Sequence, residues 1–467
     1  MSTAFPSATE YLKRGGLPKV GDATIGVQPS HQPPIDFGKQ PEGFRNKDID
    51  AVSGKRRRIL VVGGGDVWNK FARAALEHRG AELFMYDPEL LKGTPEEQAQ
   101  KLAKAGIDAA HCVGADASGK FPQVPPDTNT VVVLTPPEYH AGYIRWAQQQ
   151  KLPAIVEKPL VADVKDFQEL DGLLAHATAP VYCMDWKAAH VLPLAAVIGH
   201  AMDEQVPYDD AVRIEGPASQ ALKQFDFQHI ASITGSFVEK ADGFGSMDYV
   251  KEHRPLIYAQ GVLKDMGVHP MAALANMGFE PGEVRSAVLG DTEGQKEAGV
   301  YRRVGNGEST AAWYGKAEMV SHFHGQHIPT VIEAAKAGSV AQDFVSLTDR
   351  NGHVLHWEYG DHASHVTLEV NGKTIPIATA NIDPYALMFD QALHFFETQK
   401  QQPHKSALYY HEQKAILGAV NAMERIGRQG PVAATDQVRQ LALEPAPQVD
   451  LSKATIKEPT PEPALPL

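Results

Sequence analysis

Three consecutive glycines, Gly63, Gly64 and Gly65, stand between the apolar run ILVV at 59–62 and a stretch of helical periodicity, NKFARAALEHRG at 69–80. Glycines between a buried strand and a helix let backbone N–H groups approach a phosphate, and the helix N-terminus favours its negative charge. Asp87 closes the next apolar run, 24 residues after Gly63. That is close to the spacing at which a dinucleotide fold places the acid for its ribose hydroxyls. A carboxylate there repels a 2′-phosphate, so the pattern points to NAD rather than NADP. The bland alternative is a tight strand-to-helix turn and a capping aspartate before Pro88. Trp68 stands where the third glycine of the fingerprint is usual, and that glycine lets helix and strand pack closely. The helix must then start later or tilt away, while phosphate contact depends on the first two glycines.

Asp265 and His269 are a second pair with useful spacing. Four residues apart on a helix, they share a face, so the aspartate can hold the imidazole or bind a substrate hydroxyl. Alternatively Asp265 caps a helix start, since Pro270 is tolerated only in a first turn. Two histidine-rich stretches, HFHGQH (His322, His324, His327) and HVLHWEYGDHASHV (His353, His356, His362, His365), raise the question of a metal. His322 and His324 would share one strand face. No cysteine or carboxylate completes a ligand set at zinc spacing, so no metal is expected.

The elements around these residues alternate. RRILVVGG, AELFMYDPE, TNTVVVLTPP, PAIVEKP and APVYCMDW read as strands, the first of them a continuous apolar run expected of a strand buried on both faces. Helical stretches separate them. TPEEQAQKLAKAG opens with a threonine cap, a proline at the first helical position and early glutamates. This succession predicts a doubly wound parallel sheet, a Rossmann domain, over 55–185. After Asp185 the pattern changes to strand pairs around Asn351-Gly352 and Asn371-Gly372, the strongest short hairpin signal, with longer helices around them. An α+β domain with an open, largely antiparallel sheet is expected over 186–435, serving substrate binding and oligomerisation. Residues 1–54 read as an extended arm and 436–467 as a proline-rich tail.

The net charge of −13 argues against a nucleic-acid partner or an anionic membrane surface. The two cysteines, Cys112 and Cys183, make no disulfide framework and suit a reducing compartment. With no apolar run near the ~20 residues of a membrane span and no secretory h-region, a cytoplasmic location is expected.

TPPEYHAGYIRWAQQQKLPAIVEKPL, GVLKDMGVHPMAAL and the hairpin-rich region beyond, taken with the glycine turn, resemble the glucose–fructose oxidoreductase / inositol dehydrogenase / rhizopine-catabolism (Gfo/Idh/MocA) family. The similarity runs from about Lys55 to Val432. Its most specific parts are Glu-Lys-Pro at 157–159 and Asp-x-Gly-x-His at 265–269. The resemblance implies an NAD(P)-binding first domain and a second domain that covers the substrate. It places Lys158 beside the nicotinamide and the reacting carbon, with Asp265 and His269 in the same site. By the same resemblance Thr135, Pro136, His140, Glu157 and Lys158 join Gly63, Gly65 and Asp87 of the glycine-turn pattern along the cofactor, and the Lys158–Pro159 bond is a candidate cis peptide. CMDWKAAHVLP at 183–193 departs from the family, many of whose members have an arginine-rich R-F-x-P stretch there.

These residues imply an NAD-dependent oxidoreductase acting on a secondary alcohol, or the matching carbonyl, of a sugar, polyol or derivative. Hydride transfer from a carbinol carbon needs a base for the hydroxyl proton. A lysine near a positive nicotinamide has its pKa pushed down into a usable range, and a histidine already titrates there. Lys158 and His269 share the task, and the sequence leaves open which takes the proton. Two other readings stay on the same fold: a hydrolase or epimerase that reduces and reoxidises a tightly held NAD, and a nucleotide-binding regulator, which Trp68 motivates. The family resemblance also implies a homodimer or homotetramer, with the N-terminal arm at the contact.

Overall fold

The computed structural model describes residues 57–77, 81–161, 164–175, 179–204, 212–240, 263–290, 313–338, 342–360, 363–379 and 410–429, with a few positions between 385 and 396. The expected arm and tail and His362 lie outside the described residues, as does Gly80 at the end of the helical stretch 69–80.

Five strands form the first sheet: β1 (Arg58–Val62), β2 (Glu82–Tyr86), β3 (Thr130–Val133), β4 (Ala154–Glu157) and β5 (Val181–Met184). All pair in parallel, in the order β2-β1-β3-β4-β5. Beyond β2, a single bridge from Met85 to Cys112 continues the sheet. This short edge is absent from the sequence reading because it offers no apolar run. Strand order reverses between β1 and β3, and in open parallel sheets ligands bind at the carboxyl ends beside that reversal.

The intervening helices form where local chemistry allows. After β1 comes a π-helical turn, Trp68–Ala72, running into α1 (Arg73–Glu77). The expected capping residue starts α2 (Pro95–Ala105): Thr94 Oγ1 accepts from the Glu97 N–H, and Glu97 returns a bond to the Thr94 N–H. Gly106, in the left-handed region, ends it. α3 (His140–Gln149) and α4 (Val164–Ala175) complete this layer. A short α5 (Trp186–Ala189) and the apolar α6 (Leu192–Met202) lead out of β5.

The second sheet has nine strands: β6 (Val212–Arg213), β7 (Ile230–Lys240), β8 (Glu280–Gly290), β9 (Tyr314–Phe323), β10 (Gln326–Gly338), β11 (Gln342–Asp349), β12 (Val354–Gly360), β13 (Ala363–Val370) and β14 (Lys373–Thr379). Their order is β6-β14-β13-β12-β11-β7-β10-β9-β8. Only β7 and β10 run parallel; every other neighbour is antiparallel. At the β13–β14 hairpin Asn371 (φ 53°) and Gly372 (φ 72°) both take positive φ, the two-residue turn expected of Asn-Gly. The β11–β12 turn is held instead by the Asp349 carboxylate, which accepts the Asn351 and His353 N–H groups.

One apolar core joins the sheets. A second π-helical turn, Leu263–Gly267, continues into α8 (Val268–Asn276), in which every residue is buried. The short α7 (Gly216–Leu222) lies against β13 and β14, and α9 (Tyr410–Gln429) spans from β5 to β8 and β9. α8 packs against α5 and α9, which places its N-terminus at the carboxyl edge of the parallel sheet. No helix among the described residues is long and apolar enough to cross a membrane.

Candidate active site and cofactor cleft

Gly63 leaves β1 with φ 100°, and a Cβ there would lie 2.9 Å from the Leu134 backbone. Only glycine permits this approach between the ends of β1 and β3. A Cβ on Gly65 meets nothing within 4 Å, so its backbone faces open space at the strand-order reversal. Asn69, which the sequence reading overlooked, braces the turn: Nδ2 donates to the Gly64 and Gly65 carbonyls at 2.9 and 3.0 Å. Asp87 Oδ2 accepts the Gly64 N–H at 2.8 Å, and Oδ1 accepts the Glu89 N–H at 2.8 Å. The Glu89 bond closes a turn over Pro88 where a helix cap was the bland alternative, and the Gly64 bond sets the carboxylate beside the glycine turn.

Trp68 points away from this opening. The side chain is 0% exposed, and Nε1 donates to the Ala105 carbonyl at the end of α2, 2.9 Å away. The chain accommodates the indole by widening to a π-helical turn, so the helix is altered in its winding where a late start or a tilt was expected.

At the next strand ends, Thr135 is half-buried and its hydroxyl has no hydrogen-bond partner among the described residues, and Pro136 is exposed. His140, expected along the cofactor, is fully buried. Its two ring nitrogens lie 2.7 and 2.9 Å from the Thr135 and Pro159 carbonyls, so the ring ties the β3 loop to the β4 loop. Burial holds its pKa below the ordinary value. Glu157 ends β4, half-buried, and the Lys158–Pro159 bond is cis.

Lys158 and Asp265 meet. Nζ donates to Asp265 Oδ1 at 2.7 Å and to the Asp265 carbonyl at 3.0 Å. Burial pushes the ammonium pKa down, but the Asp265 and Glu157 carboxylates outweigh it and hold Lys158 above its ordinary value. This corrects the expected depression: the chain's own carboxylates stabilise the charged form. Asp265 in turn is held well below its ordinary value, burial being overcome by Lys158 and Lys336. Its second oxygen pairs with Lys336 Nζ. Asp265 is thus a lysine clamp, which corrects both the capping reading and the expectation that it holds His269.

The imidazole is held by Asp185, whose Oδ1 lies 2.7 Å from Nδ1. From Asp265 an ion-pair chain continues outward. Lys336 reaches Glu239 at 3.3 Å, Glu239 meets Lys187 at 3.5 Å, and Lys187 meets Asp343 at 3.3 Å. Sequence reasoning missed Asp185, Lys187, Glu239, Lys336 and Asp343. The departure at 183–193 was the one signal, since Asp185 and Lys187 lie in it. The other three stand on strands that carry further polar residues, and nothing in their spacing marks them out.

The histidine stretches do other work. His324 sits in the β9–β10 turn with φ 45°, off the strand face expected for it with His322, and lies 3.1 Å from Glu204. The His322 and His327 rings meet across the hairpin, His353 bonds Asp349, His356 bonds Ser346, and His365 bonds the Gly360 carbonyl. Among the described residues, no group of three or more His, Cys, Asp or Glu could hold a metal.

Residues 57–183 match the model of an oxidoreductase family with an NAD-binding Rossmann fold. No curated protein sequence matches the chain. Among solved structures, UDP-N-acetylglucosamine 3-dehydrogenase GnnA from Acidithiobacillus ferrooxidans is similar, with a TM-score of 0.54 and 14% identity over 80% of this chain and 99% of that one. The aldose-aldose oxidoreductase from Caulobacter crescentus, complexed with glycerol, gives 0.56 and 14% over 81% and 99%. The 3-ketoreductase KijD10 from Actinomadura kijaniata, in complex with TDP-benzene and NADP, gives 0.53 and 15% over 80% and 98%. At such identities the likeness is one of fold.

Proposed function

We propose that this chain, whose residues 57–183 match the NAD-binding Rossmann model of the Gfo/Idh/MocA oxidoreductases, transfers a hydride between NAD and a secondary alcohol or matching carbonyl of a sugar, polyol or derivative. One observation carries the reading. Lys158 is clamped by Asp265 at the carboxyl edge of the same sheet whose strand-order reversal holds the glycine turn, and His269 lies in the electrostatic reach of Lys158. The open space at Gly65 and the unpartnered Thr135 hydroxyl fit a dinucleotide along that edge. The preference for NAD rests on Asp87. The UDP-N-acetylglucosamine 3-dehydrogenase and the aldose-aldose oxidoreductase, whose names give sugar substrates, support the substrate class.

When bound, the nicotinamide supplies the hydride acceptor or donor. The chain supplies the proton chemistry. Lys158 carries three N–H donors and spends two on Asp265, leaving one for a substrate oxygen. Because the carboxylates hold its charge, it orients and polarises that oxygen. His269 has its pKa lowered by burial, with Lys158 and Lys187 adding to this against the opposing charge of Asp185. It is therefore neutral near neutrality and free to take the hydroxyl proton. His140 acts through the loops it ties. The division into domains at residue 185 and self-association through the second domain belong to the same proposal.

A thermal-shift screen of sugars, sugar acids and polyols with NAD present identifies the substrate class. With a substrate in hand, Lys158→Ala and His269→Ala should leave NAD affinity largely intact and lower turnover by about 10²–10⁴-fold. Full turnover in either variant would refute the assignment.

A further inference from the structure

His269 projects from the second domain, yet the group that orients it comes from the first. Asp185 leaves β5 and starts α5, its Oδ1 accepting the Ala188 N–H at 3.0 Å and lying 2.7 Å from His269 Nδ1. The side chains are 3% and 1% exposed, so water does not compete for the contact. Asp185 Oδ2 is buried and has no hydrogen-bond partner among the described residues. An ionised carboxylate can only accept. Nδ1 must therefore carry the proton of the neutral imidazole, and Nε2 is left as an acceptor.

The charged groups facing this ring come from three other elements. Asp185 and Lys187 approach from the start of α5, Lys158 from the end of β4 and Asp343 from β11. The lysines oppose a charge on the imidazole, and the two carboxylates stabilise one once it forms.

We propose that Asp185 is a positioning residue that fixes His269 in the Nδ1–H tautomer and thereby makes Nε2 the acceptor of the substrate hydroxyl proton. In the oxidising direction the O–H bond breaks with its proton going to Nε2. With NAD bound, the carbon's hydrogen would leave with the bond's electron pair as a hydride taken up by the cofactor, and the carbonyl would form. His269 leaves the step as an imidazolium against Asp185. The identity of the proton's source rests on the hydride-transfer reading above, whereas the tautomer does not.

Nitrogen NMR of the full chain with ¹⁵N-labelled histidine reads the tautomer without substrate or turnover, with His269→Gln assigning the resonances. At neutral pH Nδ1 should be protonated and Nε2 bare; a proton on Nε2 overturns the proposal. Asp185→Asn removes the charge that raises the histidine's pKa, so the His269 titration should move to lower pH. Turnover should fall about 10²–10⁴-fold with NAD affinity unchanged. A titration that stays in place or moves upward also overturns it. If Asp185→Asn fails to fold, the wild-type tautomer alone decides. A chain with the expected tautomer that binds NAD but oxidises no sugar or polyol refutes the hydride-transfer reading instead.

Discussion

Asp87 shows how one side chain can be structural and selective at once. Each carboxylate oxygen accepts one backbone N–H, from Gly64 and from Glu89, and an oxygen with two lone pairs can still accept a ribose hydroxyl. A 2′-phosphate meets the same charge as repulsion. NAD(H) should therefore bind more tightly than NADP(H) in calorimetric titrations. Asp87→Asn keeps an acceptor for the Gly64 N–H while removing the charge, and should narrow the gap. Equal affinities in the wild type would remove Asp87 from the cofactor assignment. Lys158 teaches the complementary lesson. A lysine's pKa is set by the sum of burial and neighbouring charge, and here Asp265 and Glu157 outweigh burial.

At the scale of elements, the two π-helical turns lie at the two ends of the proposed site. The first lets a buried tryptophan replace the third glycine of the fingerprint. Its indole fills space against α2 and donates to Ala105, on the side away from the opening at Gly65. Trp68→Gly should therefore destabilise the protein without creating or improving a cofactor site. Loss of a fully buried aromatic costs about 3–5 kcal/mol, and glycine in a helix adds about 1 kcal/mol. Urea unfolding and NAD titration of the same variant test both halves. A gain of NAD binding over the wild type would restore the regulator reading. The second turn, Leu263–Gly267, presents the Asp265 carbonyl to Lys158 as well as the carboxylate, giving the ammonium two acceptors from one residue.

At the scale of the molecule, the ion-pair chain interlocks the two sheets. Lys158 and Lys187 come from the end of β4 and from α5, while Glu239, Lys336 and Asp343 come from β7, β10 and β11. An aromatic stack adds a second tie, with Phe71 beyond the glycine turn lying 4.9 Å from Tyr385 and 5.8 Å from Trp186. The buried charges fix how stability depends on pH. Burial, aided by Lys187, lowers His190 from 6.5 to about 3. Lys336 and Lys187 outweigh burial and lower Glu239 from 4.5 to about 2. Both folded-state values are depressed, so the unfolded chain binds more protons on acidification. Their stabilisation is complete above the ordinary values and is lost as pH falls through about 6.5 to 3 for His190, and about 4.5 to 2 for Glu239. Asp265, Asp185 and His269 shift in the same sense. Asp343, raised by burial, opposes them singly. Urea midpoints measured from about pH 7.5 down to about pH 4 should fall steadily. A flat or rising series would show that the cluster does not carry this linkage.

What the sequence determined by itself is what short stretches of chain determine: the five parallel strands, the glycine turn with Asp87 after it, the Thr94 cap and the Asn371-Gly372 hairpin. Each follows from periodicity, backbone permissiveness or a side chain bonding within a few residues of itself. The family motifs brought Lys158, Asp265 and His269 into one list. Their partnership was decided elsewhere. Lys158 finds Asp265 across 107 residues of chain, His269 finds Asp185 across 84, and Lys187 finds Asp343 across 156. Such pairs depend on the register of two sheets and on how α8 seats against α5, and no local pattern encodes that. Periodicity likewise gave no hint that Trp68 would be accommodated by rewinding its helix, because that outcome depends on the space α2 leaves for an indole. The tertiary structure alone settled which carboxylate holds which cation, since an ion pair needs only proximity and shared burial, and chain separation places no limit on either.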